Sequence, residues 1–420
     1  MKKFIKYISY GKHETGGYKH ELFFAEQLQQ FLNQKGEHVT LEIDRRNRFY
    51  TNPFAYIKLF LLGLTAQANY NIVVARVALF ALLRNAFTLN KVYIVLHYFD
   101  KNDGKSFWLN LYYKALFFVL KNTKNKNISI VTVAPFWVQY FKEKTKNNIP
   151  VFLFPNFFDG EYYEKFIQKN SQFEHKNSQF ERSREQSNNV STTLDMTATP
   201  LDMTATPLDK SKNELDINSQ FELKNSQFER SREQSNSVST PLDMTVTPHN
   251  MTATPLDMTV NPHYIKNKKK KQIHLGQWSF KNHADVFEIA KQLTNQGFYC
   301  YFSTNFKDFA SKTSTYEVVY FDKFENYLTQ MALSEFTLAL TGINEGWNRV
   351  AHESILVGTP VIAYAKAGLL DLVNESKSIA ANNKEEVLQV IENKNVQANP
   401  SLLAHYDLKN AADYLNKMFI

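Results

Sequence analysis

Residues 170 to 262 interrupt this 420-residue chain with a composition unlike that of either flank. The block has almost no aliphatic runs and is built from Ser, Thr, Asn, Gln, Pro and scattered charge. It also repeats itself. The stretch from Ser178 to Asn188 recurs unchanged from Ser226 to Asn236, and a seven-residue unit, Leu194-Asp195-Met196-Thr197-Ala198-Thr199-Pro200, starts again at Leu201. Looser copies begin at Leu242, His249 and Leu256. A seven-residue period would suit a coiled coil, but each full unit ends in proline, and proline inside a helix costs ~3 kcal/mol. A solenoid fails too, because stacked units need an apolar face to bury. The block reads as a disordered tandem-repeat insert, and the run Lys268 to Lys271 as its solvated end. Folding must therefore proceed in two pieces, residues 1–160 and 272–420, with 161–271 as insert and linker.

Each piece alternates strand with helix. In the first, Phe4 to Tyr10 reads as a strand, and Tyr18 to Gln34 as a helix with an apolar stripe at Leu22, Ala25, Leu28 and Leu32. Gly36 ends that helix and His38 to Ile43 begins another strand. Further β-rich runs are Asn71 to Ala75, Lys91 to Leu96, Ser129 to Ala134 and Val151 to Phe154. In the second piece Gln272 to Leu275, Phe298 to Ser303, Glu317 to Phe321, Phe336 to Leu340 and Val361 to Tyr364 alternate with helical segments. The expectation is an α/β protein with two Rossmann-like, doubly wound domains facing a central cleft. The lone Cys300 excludes an internal disulfide framework and a cysteine-rich zinc site. After the basic Met1-Lys2-Lys3, Lys6 and Lys12 break the apolar stretch a secretory signal would need. The longest apolar span, Leu59 to Ala75, carries Thr65, Gln67, Asn69 and Asn71, so a cytoplasmic protein, soluble or peripheral, is expected.

The densest chemical signal runs from Thr341 to Ala363. It reads as a strand end, a loop bearing Glu345 and Gly346, and a helix capped by Asn348 and stopped by Gly358. Pro360 then leads into a new apolar strand. Gly346 lets a ligand approach the backbone, and free amides at a helix start suit a diphosphate. Glu345 and Glu353 can accept hydrogen bonds from sugar hydroxyls on either side of that diphosphate, with Trp347, Asn348 and Arg349 alongside.

This segment resembles the signature of the retaining glycosyltransferases with the GT-B fold (family 4, the glycosyl transferases group 1): Glu, seven residues, Glu, then a Gly-Thr-Pro-Val turn. The resemblance implies that Glu345 contacts the donor sugar and Glu353 the nucleotide ribose. It extends over both pieces. Thr15-Gly16-Gly17 resembles the family's glycine loop beside the donor phosphates, and His97, after Val95-Leu96, stands where the family often places a histidine facing the donor sugar. Pro155-Asn156-Phe157-Phe158-Asp159 is similar to the segment that closes the family's first domain, and a final helix over about 408–419 fits the one that returns to it.

One departure stands out. The family usually has Gly-Arg soon after the first strand of its second domain and a Lys about five residues beyond. Here Gly276-Gln277-Trp278-Ser279-Phe280-Lys281 replaces the Arg by Gln277 and brings Lys281 one position early. Lys281 is then the candidate cation for the departing diphosphate, with Arg349 as a possible substitute for the missing one. There is no Asp-x-Asp pair, HExxH, CxxC or Gly-x-x-x-x-Gly-Lys-Ser/Thr loop, so no metal or other cofactor is expected. The resemblance implies transfer of a sugar from a nucleotide sugar to a glycan or lipid-linked acceptor, in cell-envelope polysaccharide or lipooligosaccharide synthesis. Two alternatives remain open: a GT-B protein that binds a nucleotide sugar without transferring it, for which Gln277 speaks, and an interaction protein working through its repeats.

The net charge of +8 divides unevenly: residues 1–160 hold 22 Lys/Arg and 10 Asp/Glu, 161–271 hold 15 and 15, and 272–420 hold 12 and 16. The first piece thus carries +12, the second −4. Lys114, Lys121, Lys124 and Lys126 flank the aromatic segment Trp108 to Leu120, which points to an anionic membrane surface, on the inner face of the cell membrane, rather than to nucleic acid.

Overall fold

The computed structural model describes residues 3–10, 16–46, 54–85, 88–99, 107–169, 271–279, 281–394 and 396–419. The repeat block and Lys268 to Lys270 lie outside them, as does Thr15. The first lobe alternates β1 (Lys3–Tyr10), α1 (Gly16–Gln34), β2 (Val39–Arg46), α2 (Phe54–Gly63), β3 (Tyr70–Val74), α3 (Ala75–Asn85), β4 (Lys91–Val95), α4 (Phe107–Asn122), β5 (Ile128–Thr132), α5 (Pro135–Lys144) and β6 (Val151–Leu153). All six strands run parallel in the order β2-β1-β3-β4-β5-β6. Every residue of β3 and β5 is buried, as a sheet covered by helices on both faces requires, and this is why the strands read as near-continuous apolar runs interrupted by Asn71, Ser129 and Thr132.

After helix α6 (160–169), the second lobe contains β7 (Gln272–Gln277), α7 (Asp285–Asn295), β8 (Tyr299–Thr304), β9 (Ser311–Lys312), β10 (Glu317–Tyr320), α8 (Phe324–Ala332) and β11 (Phe336–Ala339). It continues with α9 (Arg349–Leu356), β12 (Val361–Ala363), α10 (Gly368–Ser376), β13 (Ile379–Ala380) and α11 (Lys384–Asn393), and the chain closes with α12 (Ala411–Phe419). Its sheet has the order β13-β12-β11-β7-β8-β10-β9, with only the two-residue β9 antiparallel. Strand order reverses between β1 and β3 in one sheet and between β7 and β11 in the other, and ligand crevices form above the carboxyl ends at such points. The expected doubly wound α/β architecture is what the chain adopts. The short edge strands β9 and β13 have too few residues for a periodic signal.

Two segments cross between the lobes. Phe158, Tyr163 and Phe166 at and within α6 pack against Leu328, Met331 and Val357 of the second lobe. In return α12 lies on the first: Leu415 and Met418 are buried in its core, and the Phe419 ring lies 5.4 Å from that of Phe31, tilted by 40°, with the Lys91 ammonium 4.5 Å above it. The crossings meet where the Phe158 amide donates to Tyr406 O and the Leu408 amide donates to Phe158 O. A Cβ on Gly160 would sit 2.4 Å from the Asp407 carboxylate, so a side chain there would have to displace that carboxylate.

One hydrophobic core runs through both lobes, joining Val131, Ala134 and Trp137 to Trp347, Ala351, Leu369 and Tyr406. The outer face of the second sheet has its own core around Ile273, Val286, Phe302 and Leu338. Because α12 buries its apolar face on the first lobe, Leu415→Ala should cost about 2–5 kcal/mol, read as a lowered urea midpoint. An unchanged midpoint would mean that the helix contributes nothing there.

Candidate functional site

The second lobe builds its side of the cleft at the ends of β7 and β11. Gly276 takes φ +83°, and a Cβ on it would lie 3.0 Å from the Leu338 carbonyl, so the strand can turn here only with glycine. Gln277 follows, exposed, at the strand tip. The loop beyond is pinned to the end of β11: the Gly342 amide donates to Lys281 O at 2.8 Å and the His283 amide to Leu340 O at 2.9 Å. A hydrogen bond from the Ser279 amide to Asn282 Oδ1 (2.7 Å) shapes it from within. Fixed in this way, Lys281 places Nζ 3.5 Å from Glu345 Oε2 and 5.5 Å from the ring centre of Tyr98 in the first lobe. It is the cation that spans the cleft.

Glu345 and Gly346 sit where the lobes touch. The Glu345 carbonyl accepts two hydrogen bonds, from the Trp137 indole of the first lobe (3.0 Å) and from the Gly368 amide (3.1 Å). A Cβ on Gly346 would lie 2.7 Å from the His97 carbonyl oxygen and 3.3 Å from Val133 Cγ2, and one on Gly368 would overlap the Gly346 carbonyl. Three backbones therefore stack without side chains between them. Ala367 takes the strain of this turn, at φ 51° and ψ −127°, a conformation that costs a non-glycine residue ~1–3 kcal/mol. The Phe136 amide donates to Asp371 Oδ2 at 2.6 Å, adding a polar tie along the same seam.

Helix α9 follows with Asn348 as its N-cap, the side chain accepting from the Ala351 amide at 2.9 Å. Gly358 ends it at φ +88°, and the Gly-Thr-Pro turn is stitched back by Ser354 Oγ donating to Thr359 O and Thr359 Oγ1 to Met331 O. Glu353 faces inward and is buried. Its Oε1 accepts from Arg349 Nε at 2.8 Å and its Oε2 from the Tyr327 hydroxyl at 3.1 Å. Burial pushes this carboxyl up, while Arg349, Tyr327 and the more distant Lys19 of α1 pull it back. Trp347 is a packing residue in this arrangement: its indole N–H donates to His352 Nδ1 at 3.0 Å, and its ring lies 4.8 Å from Tyr406.

On the first lobe, His97 follows β4 and its ring is about one-sixth exposed. Gly16 and Gly17 start α1, whose next turn brings His20 edge-on to His97 at 4.9 Å. His20 donates from Nε2 to the Phe154 carbonyl at 2.7 Å. Glu21 lies behind, with Oε2 accepting from the Tyr7 hydroxyl at 2.6 Å and Oε1 3.5 Å from His97 Nε2. Burial dominates these groups. It pushes Glu21 up to about 8 and His97, also repelled by His20 and Lys281, down to about 3. Both shifts favour the uncharged form.

Lys281, Glu345, Gly346 and His97 thus converge on one cleft, with Gly16 and Gly17 one helical turn away. Glu353, buried, forms a second cluster with the half-buried Tyr327 and the exposed Arg349. Sequence reading did not single out Trp137, Tyr98, Tyr327 or Glu21. No spacing links them to the motif, because each reaches the site from an element distant in the chain. Among the described residues there is no cluster of three or more His, Cys, Asp or Glu able to hold a metal ion.

No known family's sequence profile matches the chain, and no curated protein matches it. Solved structures do. It is similar to α,α-trehalose 6-phosphate synthase from Burkholderia multivorans (TM-score 0.57, 8% identity, covering 100% of this chain and 98% of that one). A glycosyltransferase from Rickettsia africae gives a TM-score of 0.51 at 13% identity, over 100% and 98% of the two chains. Anabaena HepE, in complex with UDP-glucose, gives 0.50 at 11% identity, over 99% of each. At these identities the likeness is one of fold: two Rossmann-like lobes about a cleft, the GT-B arrangement. The seam makes a direct prediction. Gly346→Ala should force the His97 backbone away from the loop and lower the thermal midpoint by several degrees, whereas an unshifted midpoint would mean the backbones do not meet.

Proposed function

We propose that this chain is a nucleotide-sugar-dependent glycosyltransferase. The observation that carries the reading is the Lys281–Glu345 pair at the carboxyl end of the second sheet, facing His97 and Tyr98 across the cleft. An ion pair at 3.5 Å with a part-exposed lysine contributes only about 0–1 kcal/mol, so a bound diphosphate with two negative charges readily recruits the ammonium. Glu345 is then released to accept from sugar hydroxyls. The likeness in fold to HepE with UDP-glucose and to a glycosyltransferase supports a donor of this class.

In this reading the donor lies mainly on the second lobe and the acceptor enters over the first. Transfer proceeds with retention, by analogy with the enzymes whose motif the sequence resembles. The acceptor oxygen bonds to the anomeric carbon on the face from which the phosphate oxygen leaves, and that oxygen takes the acceptor's proton. Lys281 and the backbone amides of α1 and α9 meet the charge of the leaving diphosphate, so the step is proposed to run without a metal. Glu353 is proposed to serve the ribose, and Gln277 to line the donor where the family's arginine would stand. Gln277 also favours a second reading, a binding protein without turnover, marked by donor binding with no product on any acceptor.

A lipid-linked or glycan acceptor on the cytoplasmic face of an anionic membrane completes the proposal, with cell-envelope synthesis as its setting. Its support is a run of exposed apolar side chains on three adjoining helices. Phe54, Phe107 and Phe118 are 71%, 72% and 69% exposed, and Ile57, Leu61, Leu83, Trp108 and Leu111 are exposed beside them. Ring contacts Phe60–Phe80 (5.4 Å) and Phe80–Tyr112 (5.9 Å) tie α2 to α3 and α3 to α4. Residues 54–126 hold ten Lys/Arg against two Asp. An apolar patch of this kind in a cationic field matches an interfacial anchor. Among the described residues no helix is long and apolar enough to cross a membrane.

Two experiments test the proposal. In a thermal-shift screen of UDP-, GDP- and ADP-sugars, one donor should stabilise the protein and lose that effect in Glu345→Ala and Glu353→Ala; stabilisation surviving in both overturns the site. With that donor, Lys281→Met should lower kcat by ~10²-fold or more. Co-sedimentation with vesicles should rise with phosphatidylglycerol content, fall with salt, and drop in a Phe107→Ser/Trp108→Ser variant. Binding indifferent to all three would exclude the membrane face.

A further inference from the structure

We propose that Glu21 is a positioning residue for His97: anchored by the Tyr7 hydroxyl, its carboxyl engages His97 Nε2 and leaves the ring proton on Nδ1. The inference rests on the reading that His97 serves the donor, and it concerns residues that neither the motif nor its spacing includes.

The geometry has three parts. Tyr7, buried in β1, donates to Glu21 Oε2 at 2.6 Å and so fixes the carboxyl's orientation. Glu21 Oε1 is 3.5 Å from His97 Nε2, a separation typical of catalytic contacts that tighten when a ligand binds. His97 Nε2 is buried and makes no other hydrogen bond among the described residues, so Glu21 is the partner within reach. The carbonyl of the same histidine packs against Gly346, next to Glu345, which places this unit directly behind the cleft.

The proton assignment follows from the donors. Oε2 already accepts from Tyr7, so a proton on the carboxyl sits on Oε1 and points at Nε2. That nitrogen then accepts, and the neutral imidazole must carry its own hydrogen on Nδ1. The other groups facing the pair are His20 from α1 and Lys281 from the second lobe, while Arg349 acts on His20. Each of them opposes positive charge on the imidazoles. Burial of Glu21 likewise favours its protonated form. Burial outweighs the Tyr7 hydrogen bond, which by itself favours the carboxylate, so a neutral acid stands beside a neutral ring with one tautomer held. A fixed Nδ1–H is a hydrogen-bond donor of constant orientation.

Nitrogen-15 imidazole spectra of the full chain read this without any substrate, His97→Asn supplying the assignment. The expected wild-type result is a His97 that stays neutral from pH 6 to about 8 with Nδ1 protonated. Glu21→Gln should keep that tautomer, since the amide can accept from Tyr7 and donate to Nε2, whereas Glu21→Ala and Tyr7→Phe should shift it toward Nε2–H. A His97 that titrates near its ordinary value of about 6.5, or a tautomer unmoved in Tyr7→Phe and in any folded Glu21→Ala, overturns the proposal. Activity reports separately: with a working donor, Glu21→Ala should reduce kcat by about tenfold or more with little change in KM. A protein that shows the expected tautomer but transfers no sugar would sink the proposed function and leave the Glu21–His97 unit standing.

Discussion

The carbonyl oxygen of Glu345 is the point on which the arrangement turns. It accepts from the Trp137 indole of one lobe and the Gly368 amide of the other, so a single backbone group ties both lobes together. Its own side chain is at the same time the acid that faces Lys281. The geometry of the candidate site and that between the lobes are therefore one constraint. The glycines around it follow from that: Gly346 and Gly368 are required because three backbones meet where no Cβ fits. The strained Ala367 is held by the same contacts, with a parallel bridge to Glu345.

The buried polar groups near the seam divide by function. Glu353 is satisfied on both oxygens and anchors the start of α9, while the Trp347 indole donates to His352 Nδ1 within the shared core and leaves His352 Nε2 without a hydrogen bond among the described residues. By contrast, Lys281 and Glu345 form a loose, part-exposed pair, and His97 leaves a ring nitrogen without a hydrogen bond among the described residues. Glu353, closed on both oxygens, holds the fold, whereas the loose Lys281–Glu345 pair can open to meet a ligand. That contrast separates the candidate chemistry from its scaffold more sharply than the presence of charged residues does.

Much of this was legible in the chain. Buried parallel strands such as Tyr70–Val74 and Ile128–Thr132 are near-continuous apolar runs, and α1 announces its inner face through Ala25, Leu28 and Leu32. The Asn348 cap and the Gly358 stop are local chemistry, set by neighbours within a few residues, and they stand where the sequence put them. Charge and aromatic content marked Trp108 to Leu120, but α2 escaped notice as its companion because their adjacency runs through Phe60, Phe80 and Tyr112. Likewise Glu21 reads as one of several acids on a helix until β1 brings the Tyr7 hydroxyl to it.

By itself, the sequence determined the alternation of the longer strands and helices, the division into two sheets and the segment bearing Glu345 and Glu353, because periodicity, capping and turn chemistry act over a few residues. Only the tertiary structure decided which of those residues meet. Lys281 reaches Glu345 across 64 positions, Trp137 reaches its carbonyl across 208, and α12 leaves its own lobe to pack on Phe31. Such contacts depend on where strand order reverses and where two lobes touch, and no local pattern encodes that distance.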